Sequence, residues 1–258
     1  MTAASFPPFE GFKVINGEAP KSFHLSKAPR ELVFIAAHHT NDPASLLYRL
    51  IDEQFKVFRP DIVLHESYYR QQIEGDPIEI IRKYGEPAYV CRLAHDLDIP
   101  FQSIELGHQA EYDAYVKKYD QESVTTFYIL RQIWQYHRQE SRAASFEAEV
   151  RTQFEVGFRE LGAADFNWEA LEAISQRLLD RPFAPDDPAN LKYYKSITDP
   201  TKTGTIFNEI SLYTSYIRDQ AVVVKIAKLR DRYHRMLAVM GASHYYTIAP
   251  YLNELYGN

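Results

Sequence analysis

The chain has 258 residues, 45% apolar and 25% charged, the composition of an ordinary globular protein long enough to bury about 70–75% of its unfolded surface. Its 29 Lys and Arg against 35 Asp and Glu give a net charge of −6, and no basic run interleaves with aromatic residues, so nucleic acid is not the expected partner. A single cysteine, Cys91, excludes an intrachain disulfide and any cysteine-cluster metal site, and no window reaches the ~18 consecutive apolar residues of a membrane helix.

Residues 1–30 hold Pro7, Pro8, Gly11, Gly17, Pro20 and Pro29 and read as loops with room for one edge hairpin. No basic and apolar leader precedes Phe12, so a cytoplasmic location is expected. The run Leu32-Val33-Phe34-Ile35-Ala36-Ala37 has no period-two alternation, the pattern of a parallel strand covered on both faces. Asp42 and Pro43 then stand where an N-cap and first helical residue belong, and Leu46, Leu47, Leu50, Ile51, Phe55 and Phe58 keep helical spacing. Pro60 stops that helix, and residues 61–66 form a second buried strand ending on Glu66. Residues 86–97 make the next helix, with Cys91 on its buried stripe, and 101–105 a third strand ending on Glu105.

Between 108 and 204 the strand signal disappears into helical windows at 122–142, 145–161 and 168–180, followed by the proline-rich loop 181–190. The expected organisation over 1–258 is one α/β domain, a mostly parallel central sheet flanked by helices, with core segments 31–107 and 205–258 and a large helical insertion at 108–204. A long helix over 205–231, a strand over 235–240 and a terminal helix ending at Gly257 complete the core.

A shift of 205 positions lays residues 32–39 on 237–244 without a gap, and identities continue at Ala44 with Ala249, Leu47 with Leu252 and Leu50 with Leu255. Each segment runs from a buried strand through small residues to a histidine, His39 or His244, and then into a helix, which predicts two equivalent half-sites. The small residues Ala36, Ala37, Gly241 and Ala242 allow close backbone approach at the carboxyl ends of the strands, where open α/β sheets bind ligands. A lone histidine at a strand end is ordinarily structural; two of them, joined by Glu66 and Glu105, make a reactive constellation.

Two imidazoles and a carboxylate with one open position can hold a catalytic divalent metal such as Mn, Co, Zn or Fe, which acidifies bound water. The same groups can work without metal, a carboxylate-oriented histidine acting as general base beside a second cation that stabilises an oxyanion. Both versions end in hydrolysis of a small-molecule or peptide substrate, and neither supplies a Ser or Cys nucleophile, because no Gly-x-Ser-x-Gly elbow occurs and Cys91 sits mid-helix.

Gly241-Ala242-Ser243-His244 near the C-terminus resembles the second Gly-x-x-His motif of the TraB, GumN and Tiki superfamily, which is related to erythromycin esterase and to the ChaN haem-binding proteins. Ala36-Ala37-His38-His39 is similar to the first motif with alanine for glycine, and His38 is a rival to His39. Residues 61–66 resemble the family's strand ending in glutamate, and Arg218-Asp219-Gln220-Ala221 its Arg-Asn or Arg-Asp segment. The resemblance covers residues 32–105 and 205–257. It implies a Tiki-like metal-dependent peptidase with His39, Glu66 and His244 as metal ligands; the alternatives it carries are a metal-free ester hydrolase and a haem binder. Glu105 would support the site and Arg218 would stabilise negative charge, while His38, Tyr245, Tyr246 and His108 are candidate pocket residues.

Overall fold

The apolar run at 32–37 lies within the second of five strands, and all six of its residues are buried, as cover on both faces requires. The computed structural model describes residues 6–67, 74–138, 144–153 and 168–257. β1 (Lys21–Lys27) and β2 (Arg30–Ala37) form an antiparallel hairpin across Ala28 and Pro29. β3 (Ile62–His65), β4 (Phe101–Ser103) and β5 (Arg235–Gly241) run parallel to β2, and the sheet order is β1-β2-β5-β3-β4. β5, last in sequence, thus lies between β2 and β3, and four parallel strands present their carboxyl ends along one edge of the sheet.

The helices are α1 (Leu46–Phe58), α2 (Pro77–Asp96), α3 (His108–Val116), α4 (Gln121–Arg138), α5 (Phe146–Gln153), α6 (Trp168–Leu179), α7 (Leu191–Ile197), α8 (Ile206–Arg230) and α9 (Ala242–Tyr256). The start of α1 differs from the expectation. Asp42 accepts from Ala44 N through its side chain and from Ser45 N through its carbonyl, closing a turn, and Ser45 is the residue whose hydroxyl caps the helix at Leu47 N. α2 begins nine residues before the expected helix and is broken at Gly85, whose φ of 71° and ψ of −161° no helix contains. The chain restarts as helix at Glu86 and Pro87, so the proline stands in a first turn, where it costs no hydrogen bond. The expected helical positions 139–142 and 154–161 lie outside the described residues.

Two cores sandwich the sheet. On one face Val33, Ile35, Ala37, Val63, Leu237 and Val239 pack against Leu47, Ile51 and Phe55 of α1 and Ile81, Val90 and Ala94 of α2. On the other, Leu32, Phe34, Ala36, Leu64, Met236, Ala238 and Met240 pack against Val222, Val223 and Ile226 of α8 and Ile248 and Leu252 of α9. Each fully buried side chain of this kind contributes about 1.5–3 kcal/mol of transfer free energy. Cys91 is buried in α2, and burial pushes its thiol up to about 12, as an unreactive core residue requires.

The chain divides into two compact units, Met1–Leu106 with Tyr216–Asn258, and Gly107–Ser215. The first holds the sheet with α1, α2, α9 and the C-terminal part of α8. The second has its own apolar core, centred on Phe127, Ile133, Phe146, Tyr194 and Phe207. Among the described residues no helix is long and apolar enough to cross a membrane.

Candidate functional site

Four strand ends in the first unit deliver the polar residues. His39 follows β2, Glu66 follows β3, Glu105 lies two residues beyond β4, and Gly241 closes β5 and opens α9, which carries His244 in its first turn. Glu66 is the hub. Its Oε2 accepts from Gly241 N at 2.6 Å and its Oε1 from Arg218 Nη2 at 2.7 Å. His39 Nε2 stands 3.8 Å from Oε2, and His244 Nε2 stands 3.6 Å from Oε1. The two imidazoles, 205 positions apart in sequence, thus aim the same ring nitrogen at the two oxygens of one carboxylate.

Each imidazole is held from behind. His39 Nδ1 lies 2.5 Å from Glu86 Oε1, and His244 Nδ1 lies 2.5 Å from Asp219 Oδ1. With carboxylates as the acceptors, Nδ1 carries the hydrogen in both rings and Nε2 is the nitrogen turned to the site. The backing carboxylates are buried, Glu86 because it restarts α2 after the Gly85 break and Asp219 because it faces inward from α8. The loop bearing His39 is pinned on both sides: Tyr48 of α1 donates to Thr40 O, and Asn41 donates to Arg82 O of α2 at 2.8 Å.

Arg218 reaches inward from α8. Its Nε donates to Glu105 Oε2 at 2.9 Å, and its Nη2 donates to both Glu105 Oε1 and Glu66 Oε1. Its charge is spent on holding two carboxylates, so it positions the site. Lys225, one to two turns further along α8, donates to Ser103 O at 2.7 Å at the end of β4, and burial lowers its pKa.

The charges set the proton balance. Burial acts to raise Glu66, but His244, Arg218, His39 and the Gly241 amide outweigh it and hold the carboxyl well below the usual range. The Glu86 carboxylate bonded to Nδ1 raises His39 to about 9 against the opposing effect of burial. At His244 burial acts downward, yet Asp219 and Glu66 prevail and raise the imidazole above 6.5, while burial also raises Asp219, so that pair holds a proton between its members. The two histidines differ in access: the His39 side chain is 58% exposed and that of His244 only 10%.

Whether these groups suit a metal is decided by the donor set. Both Glu66 oxygens already accept from protein donors, one of them a guanidinium whose fixed charge opposes a cation beside it. Among the described residues no group of three or more His, Cys, Asp or Glu side chains is arranged to hold a metal ion. His39, Glu66 and His244, the expected ligands, are not among such groups as they stand.

The structure brings together His39, His244, Glu66, Glu105 and Arg218, and it turns His38, Tyr245 and Tyr246 to other partners. His38 turns to α1, with Nε2 3.3 Å from Ser45 Oγ. Tyr245 is buried in the α9 face of the core, stacked on Phe23 with ring centroids 3.7 Å apart. Tyr246 covers Gly17 and donates to Glu18 O at 3.0 Å. Both tyrosines follow His244 on a helix, where each successive side chain swings by about 100° and leaves the site. The side chain of His108 lies outside the described residues. Glu86 and Asp219 were not singled out by sequence; Asp219 stands beside Arg218, and the only signals at Glu86 are Gly85 and Pro87 around it.

Neighbouring His65, at the end of β3, is buried, and burial, with Lys225 nearby, lowers it to about 4, so its imidazole is neutral. No family model, curated protein or solved structure matches the chain.

Proposed function

We propose that the protein hydrolyses an ester or amide bond in a small-molecule or peptide substrate, using water activated by His39 without a metal ion. The observation that carries this reading is the pair of imidazoles, each bonded through Nδ1 to a buried carboxylate and each turning Nε2 to Glu66. Two titratable groups of one kind in unlike environments divide acid from base work. His39, open to solvent, is the one that exchanges protons; His244, enclosed between Asp219 and Glu66, is held toward its charged form.

In its neutral form His39 takes a proton from water at Nε2 as the water oxygen attacks the substrate carbonyl, and Glu86 stabilises the imidazolium that results. The oxyanion of the tetrahedral intermediate faces the His244 Nε2–H, a fixed cationic donor. Collapse breaks the bond to the alcohol or amine, which leaves with the proton returned by His39. Arg218 and Glu105 keep Glu66 in place between the two rings.

The motif resemblance supports the same chemistry and, of its branches, the erythromycin-esterase-like one, since the Glu66 oxygens are engaged by Arg218 and Gly241. The test is hydrolysis of a panel of aryl esters and short peptides by protein purified without chelator, with its metal content measured and with EDTA present or absent. Turnover that survives EDTA and disappears in both His39→Ala and His244→Ala is expected. A stoichiometric metal with EDTA-sensitive peptide cleavage would transfer the site to the Tiki-like reading. A bound chromophore with no turnover would transfer it to the haem-binding one.

A further inference from the structure

We propose that Gly241 reserves the place of the reacting water: the water bridges His39 Nε2 and Glu66 Oε2 across the bare Cα of Gly241, and any side chain there displaces it. The inference rests on the hydrolase reading above and adds where the water sits and what keeps that place open.

Three observations meet at this point. First, His39 Nε2 and Glu66 Oε2 are 3.8 Å apart, too far for a direct hydrogen bond and a span that one water closes with two. Second, a Cβ on residue 241 would lie 3.2 Å from His39 Nε2, 3.3 Å from Glu66 Oε2 and 3.6 Å from His244 Cδ2. A methyl group would therefore stand against both atoms that the water must bridge. Third, the glycine is not required by the backbone. Gly241 has φ −49° and ψ 139°, a conformation open to any residue, and its amide bond to Glu66 is available to alanine as well. Serine, asparagine or aspartate would cap the 15-residue helix α9 better than glycine, yet the position has no side-chain cap. A glycine that costs α9 its cap and gains no backbone freedom is accounted for by the space it leaves.

The geometry also fixes the proton's path. A water on this bridge presents one hydrogen to neutral His39 Nε2 and one to Glu66 Oε2, which leaves an oxygen lone pair for the carbonyl carbon. Glu66, held ionised by its neighbours, orients the water, and His39 takes the proton.

The experiment compares wild type, His39→Ala and Gly241→Ala in hydrolysis of an aryl acetate, with thermal unfolding of each. Gly241→Ala is expected to unfold within a few degrees of wild type, to keep KM, and to lose about 100-fold in kcat, the scale of a misplaced reacting group. A crystal structure of the wild-type protein without substrate is expected to show a water in hydrogen-bond range of both His39 Nε2 and Glu66 Oε2; this readout does not depend on the variant folding. If wild type hydrolyses the ester and His39→Ala does not, while Gly241→Ala keeps kcat within twofold or the well-ordered crystal site has no such water, this inference is overturned and the hydrolase reading stands. If His39→Ala is as active as wild type, the hydrolase reading itself fails, and the inference with it.

Discussion

Replacing Arg218 by methionine keeps an unbranched apolar stem and removes the guanidinium with its charge and hydrogen bonds. Glu105, whose side chain is 1% exposed, and Glu66, at 13%, would be left without their guanidinium. Removing one member of a buried ion pair costs about 3–5 kcal/mol, because the charge left behind is still out of water. In a chain of this size each kcal/mol is worth roughly 2–4 °C in Tm, so a fall of about 6–20 °C at pH 7 is expected. The assay is thermal or urea unfolding of wild type, Arg218→Met, Glu105→Gln and the double variant. The neutral amide removes one buried charge, so Arg218→Met should cost less by about 1–3 kcal/mol in the Glu105→Gln background. The cost should also shrink toward acid. Glu66 has a folded pKa below its ordinary 4.5, so its contribution is present above that value and is lost as pH falls through the lower folded pKa. Without Arg218 that depression is smaller and less stability remains to be lost. A penalty under about 1 kcal/mol at pH 7, or one unchanged by Glu105→Gln, would refute the assignment of Arg218 as the charge that holds the two carboxylates.

The remaining expectations concern the imidazoles and their supports. With His39 raised from 6.5 to about 9, its contribution to stability is complete below 6.5 and is lost as pH rises through 9, whereas hydrolysis by its neutral form should climb over the same range; a rate that is flat between pH 7 and 9 would exclude His39 as the base. Glu86→Gln should bring the His39 titration, followed by NMR of the ring protons, back toward 6.5 and lower kcat by about 10²- to 10⁴-fold, as loss of an orienting carboxylate does; a titration still near 9 would remove Glu86 as the cause. Gly85→Ala should cost about 1–3 kcal/mol in unfolding experiments, since a side chain is strained at φ 71°, ψ −161°, and should displace the Glu86 that follows; a neutral substitution would show that the break in α2 does not position Glu86. Tyr245→Ala should destabilise by about 3–5 kcal/mol with the His39 titration unmoved, whereas a change confined to KM would return Tyr245 to the pocket.

The sheet was legible because strands covered on both faces are written as unbroken apolar runs, and residues 32–37 and 236–240 are such runs. His39, Glu66, Glu105 and His244 were legible for a related reason: each stands just past such a strand, where backbone alone fixes the position. Arg218 could be read only through the motif resemblance of the segment Arg218-Asp219-Gln220-Ala221. The partners behind the rings were not legible in that way. Glu86 reaches His39 only because α2 breaks at Gly85, and a positive φ at one glycine leaves no trace in hydrophobic periodicity. Asp219 follows Arg218 on a helix, and which of the two meets the carboxylates and which meets His244 depends on helix rotation, set by packing of the whole of α8. His38 and His39 could not be ranked by type; in an extended stretch neighbours leave on opposite sides, one to Ser45 and the other to Glu86.

The internal echo is closer to the mechanism than a repeat would be. The sequence aligns best at an offset of 205, but β2 and β5 pair at 204, with Ala37 opposite Gly241. Side chains alternate faces along a strand, so residues matched by sequence lie on opposite sides of the sheet. Leu47 of α1 packs on one face and its counterpart Leu252 of α9 on the other. The half-sites are accordingly not equivalent: His39 stands in a loop ahead of α1 and takes its carboxylate from α2, whereas His244 stands inside the first turn of α9 and takes its carboxylate from α8. Had both segments kept the pairing register, their helices would have shared one face and the two rings would have approached Glu66 from the same side. The one-residue slip instead places the two following helices on opposite faces of the sheet, and one imidazole is open to solvent while the other is enclosed. On the proposed hydrolytic reading, that difference in exposure is what would divide two chemically identical residues into base and fixed cation.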